Sequence, residues 1–378
     1  GKASASMAQA VELNWQKPLS GIVVTRYGYS LPCSMIRVIE AGHPIPDETS
    51  QNASREIITL AKELGTQDLC IALISGGASS LLSLPIDGIN LKDKQDLNQK
   101  LLYSGAAIGE INIVRKHLSA IKGGRLAESI FPAKLHTVLI SDVPGDDPST
   151  IGSGPTMPDP STFFEAREIL KKYSITPSVS IRSHLTQEFN ETPKPGGKAF
   201  TNSEFCFASV PKDIFEAAES FAKDSGLNTY VLGDSLQGEA RVIARQHADL
   251  ALKIKEGNGP IQPPCVILSG GEATVTIKGT GKGGPNTEYA LALAISLKSA
   301  ENIFALACDT DGIDGSEDNA GAFISPETLK KAISVSLDPD NYLTRNDSYN
   351  FFNNLNDLIK TGPTFTNVND FRALLILP

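Results

Sequence analysis

Residues 141–156, SDVPGDDPSTIGSGPT, gather three aspartates, three glycines and three prolines into sixteen positions. Carboxylates, hydroxyls and glycines gathered in such a loop suit a ligand or a metal-phosphate group. The apolar run just before it, Thr137-Val-Leu-Ile, predicts a short buried strand, so these groups stand at a strand's carboxyl end. A long aperiodic loop is uncommon in a compact domain unless it binds something, and prolines stiffen this one.

Four other stretches carry compatible chemistry. Leu69-Cys-Ile-Ala-Leu-Ile reads as a strand running into Ser75, Gly76, Gly77 and Ser79. There two glycines let the backbone approach a ligand, and the next helix aims its N–H groups at the same point. This is an anion cradle, or a tight turn with a serine cap. Residues 113–125, IVRKHLSAIKGGR, form the strongest basic cluster of the chain. Within it Arg115, Lys116 and His117 suit a carboxylate or a phosphate. Asp309 and Asp311 open the acidic stretch DTDGIDGSEDNAGA, which fails as an EF-hand loop but suits Mg²⁺ held against phosphate oxygens, with Asx turns as the plain alternative. Gly279, Gly281 and Gly284 satisfy the G-x-G-x-x-G dinucleotide pattern and make a nicotinamide-dependent reductase the competitor. The alternating Thr274-Val-Thr-Ile-Lys ahead of them is not the buried parallel strand that pattern follows.

The elements that must position these groups repeat one arrangement of apolar strand, polar loop and helix, at Ser75, Ser141, Asp234, Ser269 and Asp309. In open α/β sheets such loops share one crevice at the strands' carboxyl ends. A length of 378 residues exceeds one ordinary core and implies two domains, with the boundary expected in the glycine- and proline-rich segment 257–264. A net charge of -9 argues against nucleic acid and anionic membrane surfaces. Five scattered cysteines without metal spacing point to a reducing compartment, here the cytoplasm. No serine–histidine–aspartate elbow is recognisable. Anion cradles, carboxylates and a few cations are what phosphoryl transfer needs, so the residues lead to a Mg-nucleotide enzyme acting on a small anionic substrate.

The phrases GKASASMAQAVE, GHPIPDE, LISGGASSLL, VRKHLSAIKGGRLA, LISDVPGDDPSTIGSGPT, LSGGEATV, DTDGIDGSEDNAGA and TGPTFTNVNDFRA, in this order along the chain, resemble the class II glycerate kinases with a C-terminal MOFRL domain. The resemblance implies an α/β fold with a Rossmann-like layered N-terminal domain, residues 1–257, and a smaller α/β MOFRL domain, residues 258–378. It places the active site in the cleft between them, and the last strand is open to packing back on the first domain. ATP and Mg²⁺ are the implied cofactors, with D-glycerate converted to 2-phosphoglycerate; a homodimer is compatible with this. Some members carry the label hydroxypyruvate reductase.

By position, the family's GKA lysine falls on Lys2, which implies charge stabilisation during transfer, whereas a lysine at that place would otherwise read as solvated. The family's RKH segment falls on Arg115, Lys116 and His117, here expected at the substrate carboxylate or phosphate; in the mechanism expected on this basis Asp142 or Asp147 orients or deprotonates the glycerate hydroxyl and Asp309 or Asp311 holds metal. Ser75, Gly76, Gly77, Ser79, Ser153 and Asn286 complete the expected phosphate and substrate contacts. Many members have Gly-Gly-Arg-Asn where this chain has Gly283-Gly284-Pro285-Asn286, so an arginine is missing; either Lys282 or Arg115 supplies that charge or this branch works without it.

Overall fold

The computed structural model describes residues 1–187 and 190–378, whose contacts gather into two units, Gly1–Ser209 and Val210–Pro378. The first unit opens with α1 (Ser4–Asn14), β1 (Gly21–Arg26), β2 (Ile36–Ala41), α2 (Glu48–Lys62) and β3 (Leu69–Ile74). It continues with the short α3 (Ala78–Leu81), α4 (Leu91–Tyr103), α5 (Ile108–His117), α6 (Arg125–Ile130) and β4 (Lys134–Ile140). Helices α7 (Phe163–Lys172) and α8 (Val179–His184) precede β5 (Ser203–Ser209).

Local chemistry sets these limits. Asp47 starts α2 by accepting from Ser50 N, and Thr162 starts α7 with Glu165 bonding back to it. Each satisfies donors that a helix start leaves orphaned. Helices α4 and α5 are separate because Ser104 and Gly105 turn the chain between them. Strand β1 pairs with β2, and β3 pairs with β4 and β4 with β5, all parallel; helices supply the crossovers between β3, β4 and β5, whereas residues 27–35 join β1 to β2 without one. The apolar β3 is read from sequence as a central strand. It has one neighbour, β4, and its other edge lines an apolar cavity of about 620 Å³ together with residues of β1.

The second unit comprises α9 (Pro211–Asp224), β6 (Asn228–Glu239), α10 (Ala240–Lys255), β7 (Cys265–Thr274) and α11 (Pro285–Leu297). After β8 (Ile303–Asp309) and β9 (Gly321–Ile324) come α12 (Thr328–Ser334), α13 (Pro339–Thr344) and α14 (Ser348–Leu355), then β10 (Leu358–Ile359) and β11 (Asp370–Ile376). Its six strands form one mixed sheet in the order β10-β9-β8-β11-β7-β6. Helix α11 is apolar on nearly every face and sits in the core with α10, β7 and β8.

Two expectations shift here. The helix expected to open at Asp234 is strand instead: β6 runs on to Glu239, its register slipping between Val231 and Gly233 and again before Leu236. Because β6 pairs with β7, residues 210–257 belong with the second unit, and the division falls at Ser209/Val210 instead of 257. The last strand, β11, lies between β7 and β8 within that same sheet, paired antiparallel with both.

Candidate active site

In the first unit the end of β1 and the turn after β3 meet at residues 1–4: the Gly1 amino group donates to Val24 O, and Thr25 Oγ1 to Lys2 O. The Lys2 N–H donates to Gly76 O at 2.8 Å, and the Ala3 N–H donates to Ser75 Oγ at 3.1 Å. Ser75 is fully buried, so its hydroxyl and the Gly76 carbonyl hold the Lys2 turn and are not left for a ligand. Gly77 has φ +80°, and a Cβ there would come within 3.0 Å of His43 Nε2 and 3.1 Å of Lys2 Cγ. Lys2 and His43 therefore flank the turn at the one position where a side chain would crowd them. Helix α3, which follows, has four residues, too few for a developed dipole.

The acidic loop is tied into the same place. Ser153 Oγ donates to Asn112 Oδ1 at 3.1 Å, which leaves Ser79 Oγ as the donor across the 2.8 Å contact to Ser153 Oγ. Gly123 and Gly124 donate to the Ser153 and Gly154 carbonyls, locking the loop to the basic segment. The charges of Asp142 and Lys122 both act on the amino group of Gly1, which locates them beside the Lys2 turn. Asp147 is exposed and accepts from Ser149 N, Ser149 Oγ and Thr150 Oγ1 at 2.9–3.2 Å, so its carboxylate is engaged in an Asx turn within the loop.

The basic segment splits by helical geometry. Successive residues project about 100° apart, so the last three residues of α5 face different ways. Arg115 lines a cavity of about 540 Å³ together with Gly77, Ser79, Ser80 and His43. Lys116 and His117 turn into the helical layer, against expectation. Buried Lys116 Nζ meets Asp159 Oδ1 at 3.4 Å, while His117, with no exposure, places Nδ1 at 2.8 Å from Ile113 O and Nε2 at 3.1 Å from Glu191 Oε2. Lys94 and Lys122, neither expected as site residues, line the Arg115 cavity. Lys94 was detectable in principle: with Leu97 and Leu101 it occupies the buried stripe of α4, where a lysine is out of place.

In the second unit, Asn286 lies in the first turn of α11 and is 1% exposed; its Nδ2 donates to Asp370 Oδ1 at 2.7 Å and lies 3.3 Å from Asp314 Oδ1. Asp314 accepts from the main chain of Asn286 and Thr287, serving as the cap that Gly284 cannot supply. Burial drives its carboxyl up to about 6 against those hydrogen bonds, with Asp370 adding to the rise. A raised folded-state pKa means the stabilisation from the protonated acid is full below about pH 4 and is lost as pH rises through 6. Thermal midpoints measured from pH 4 to 7 should show this slope, and Asp314→Asn should flatten it while lowering stability throughout.

The glycines of 279–284 are explained by close packing. A Cβ would lie 2.1 Å from Arg345 O at Gly279, 2.4 Å from Asp347 Cβ at Gly281, and 2.4 Å from Asp314 Oδ1 at Gly284. Protein atoms fill the space a pyrophosphate would need, which removes the structural basis of the dinucleotide pattern. Likewise Ser269 and the two glycines after it lie inside β7, where a Cβ on Gly271 would strike Leu236 O at 2.2 Å. Pro285 takes the first turn of α11, a position that suits proline, and Lys282 is paired with Glu317 at 3.0 Å.

Asp309 Oδ1 accepts from Asp311 N at 2.9 Å and Asp311 Oδ1 from Ile313 N at 2.8 Å, so both carboxylates take part in Asx turns. Among the described residues no group of three or more histidine, cysteine or acidic side chains could hold a metal. That donor set does not make an all-protein cage, but it fits Mg²⁺, which commonly uses one or two carboxylates with substrate phosphates. No helix among the described residues is long and apolar enough to cross a membrane.

Comparison with known proteins finds two families along the chain. Residues 1–186 match the family described as "Domain of unknown function (DUF4147)", and residues 265–370 match the MOFRL family. A protein of Agrobacterium vitis with a provisional hydroxypyruvate reductase name is 51% identical over all of this chain and 86% of its own length. The D-glycerate 2-kinase of Thermotoga maritima is 41% identical over all of this chain and 89% of its own. A crystal structure of glycerate kinase from Thermotoga maritima superposes with a TM-score of 0.90 at 41% identity, covering all of this chain and 90% of that one.

Proposed function

The chain belongs to the glycerate kinase family with a C-terminal MOFRL domain, and from that premise we propose that it is a glycerate 2-kinase, carrying the γ-phosphoryl group of ATP to the 2-hydroxyl of D-glycerate. The observation that carries the reading is the fixing of the Lys2 turn by Ser75 and Gly76, beside Gly77 and His43. Phosphoryl transfer is catalysed mainly by positioning and charge neutralisation, and a lysine anchored through its own backbone supplies both.

In this reading the oxygen of the 2-hydroxyl forms the new bond to phosphorus, the bond to the ADP oxygen breaks, and the hydroxyl proton passes to Asp142. Lys2 offsets charge on the transferred group, Ser79 and Ser153 shape its surroundings, and Arg115 faces the acceptor. Mg²⁺, where bound, neutralises phosphate oxygens, and Asp309 and Asp311 would hold it. The parallel ladders of the first unit, with polar turns at their carboxyl ends, support Rossmann-like layering. Five free cysteines support a reducing compartment.

A coupled assay tests the class of reaction. ADP release that requires D-glycerate is expected; oxidation of NAD(P)H by hydroxypyruvate without ATP turnover would replace the kinase reading by the reductase one.

A further inference from the structure

Beside the end of α3, three cations meet with no acidic partner paired to them among the described residues. Lys122 Nζ donates to Leu82 O at 2.7 Å, Lys94 Nζ stands 3.4 Å from Ser83 Oγ, and Arg115 Nε donates to Asn98 Oδ1 at 2.6 Å. The two terminal nitrogens of Arg115 have no hydrogen-bond partner among the described residues. All three side chains line the cavity of about 540 Å³ that also reaches Gly77 and Ser79. Its one acidic lining residue, Asp96, is paired with Lys92 at 2.6 Å.

Burial and the neighbouring Arg115 hold Lys94 down to about 7, and burial with both neighbours holds Lys122 well below its usual range. Like charges gathered out of water are costly to folding unless an anion enters among them. The arginine fork suits a carboxylate bidentately. Between this cation cluster and the Lys2–Gly77 turn lies α3, whose four residues span about 6 Å at 1.5 Å rise per residue. A short acid could therefore present its carboxylate to the cations and its hydroxyl to the turn.

We infer that Lys94, Arg115 and Lys122 form the subsite for the acceptor's carboxylate, so that the protein selects short hydroxymonocarboxylates over neutral polyols; this rests on the glycerate kinase reading. Besides Arg115 and Lys122, the groups facing Lys94 are His43 and the Lys92–Asp96 pair. Carboxylate binding restores the Lys94 proton, so binding takes up a proton near pH 8 and weakens as pH rises above 7.

Lys94→Met and Lys122→Met test the subsite. Each should raise KM for D-glycerate by about tenfold or more, leave KM for ATP within about twofold, and keep or raise the thermal midpoint, because each removes an uncompensated buried charge. D-glyceramide should be a poor acceptor for the unaltered protein, and Lys94→Met should narrow that preference. A rise in KM for ATP alone would reassign the cations to the nucleotide, and unchanged KM values with a lowered midpoint would make them structural; either overturns the inference. Should ATP turnover be absent altogether, the kinase reading fails, and calorimetry of D-glycerate binding in buffers of different ionisation enthalpy decides the subsite alone. Proton-coupled binding that Lys94→Met abolishes supports it, and binding that Lys94→Met leaves unchanged overturns it.

Discussion

Replacing Lys2 by alanine should lower kcat by about 10²- to 10³-fold, the usual loss when one fixed stabiliser of developing charge is removed. The fold should be untouched, because the interaction that fixes the turn is the Lys2 backbone N–H to Gly76 O, which alanine preserves. Arginine at the same place should not restore the rate. Gly77 and His43 lie close around the lysine stem, and a planar fork is a poor replacement for a compact ammonium. Steady-state rates with circular dichroism of the same sample check both parts, and near-normal kcat in Lys2→Ala would remove Lys2 from the chemistry.

Asp159→Ala should produce the largest loss of stability. Asp159 is buried, receives hydrogen bonds from Ser161 N and Oγ and from Thr192 Oγ1, and faces the buried Lys116. Its loss leaves Lys116 charged, buried and unpaired, which costs about 3–5 kcal/mol. A urea titration measures this, and a loss below about 1 kcal/mol would show that the pair is solvated in solution. Burial raises the Asp159 carboxyl, but Lys116, together with the hydrogen bonds, pulls it further down, so the balance lies below the usual range. This stabilisation is therefore present above the unfolded value of about 3.9 and is lost as pH falls through the lower folded value. Joint replacement of Lys116 and Asp159 by apolar residues should recover part of the loss.

Much of this was legible in the residues. The strand, glycine turn and helix around Ser75–Ser79 are written in apolar runs and glycine, and the acidic loop after β4 does meet that turn through Ser79 and Ser153. What periodicity conceals is direction. Arg115, Lys116 and His117 are equivalent as a basic cluster, yet one turn of α5 sends Arg115 to the cavity and the other two into the protein. Lys94 carries a signal of its own, a charge placed in the apolar stripe of α4, which a reading by clusters of charge passes over. The glycine pattern at 279–284 misleads because close approach to protein and close approach to a phosphate demand the same residue. The chain division at Ser209/Val210 depends on β6 pairing with β7, a long-range ladder that composition does not display.

The most direct test of the account is the identity of the product, read by phosphorus and carbon NMR after incubation with ATP, Mg²⁺ and D-glycerate. The account predicts 2-phosphoglycerate formed in step with ADP. Phosphorylation at the 3-hydroxyl, or unchanged ATP while hydroxypyruvate is reduced by NAD(P)H, would contradict it.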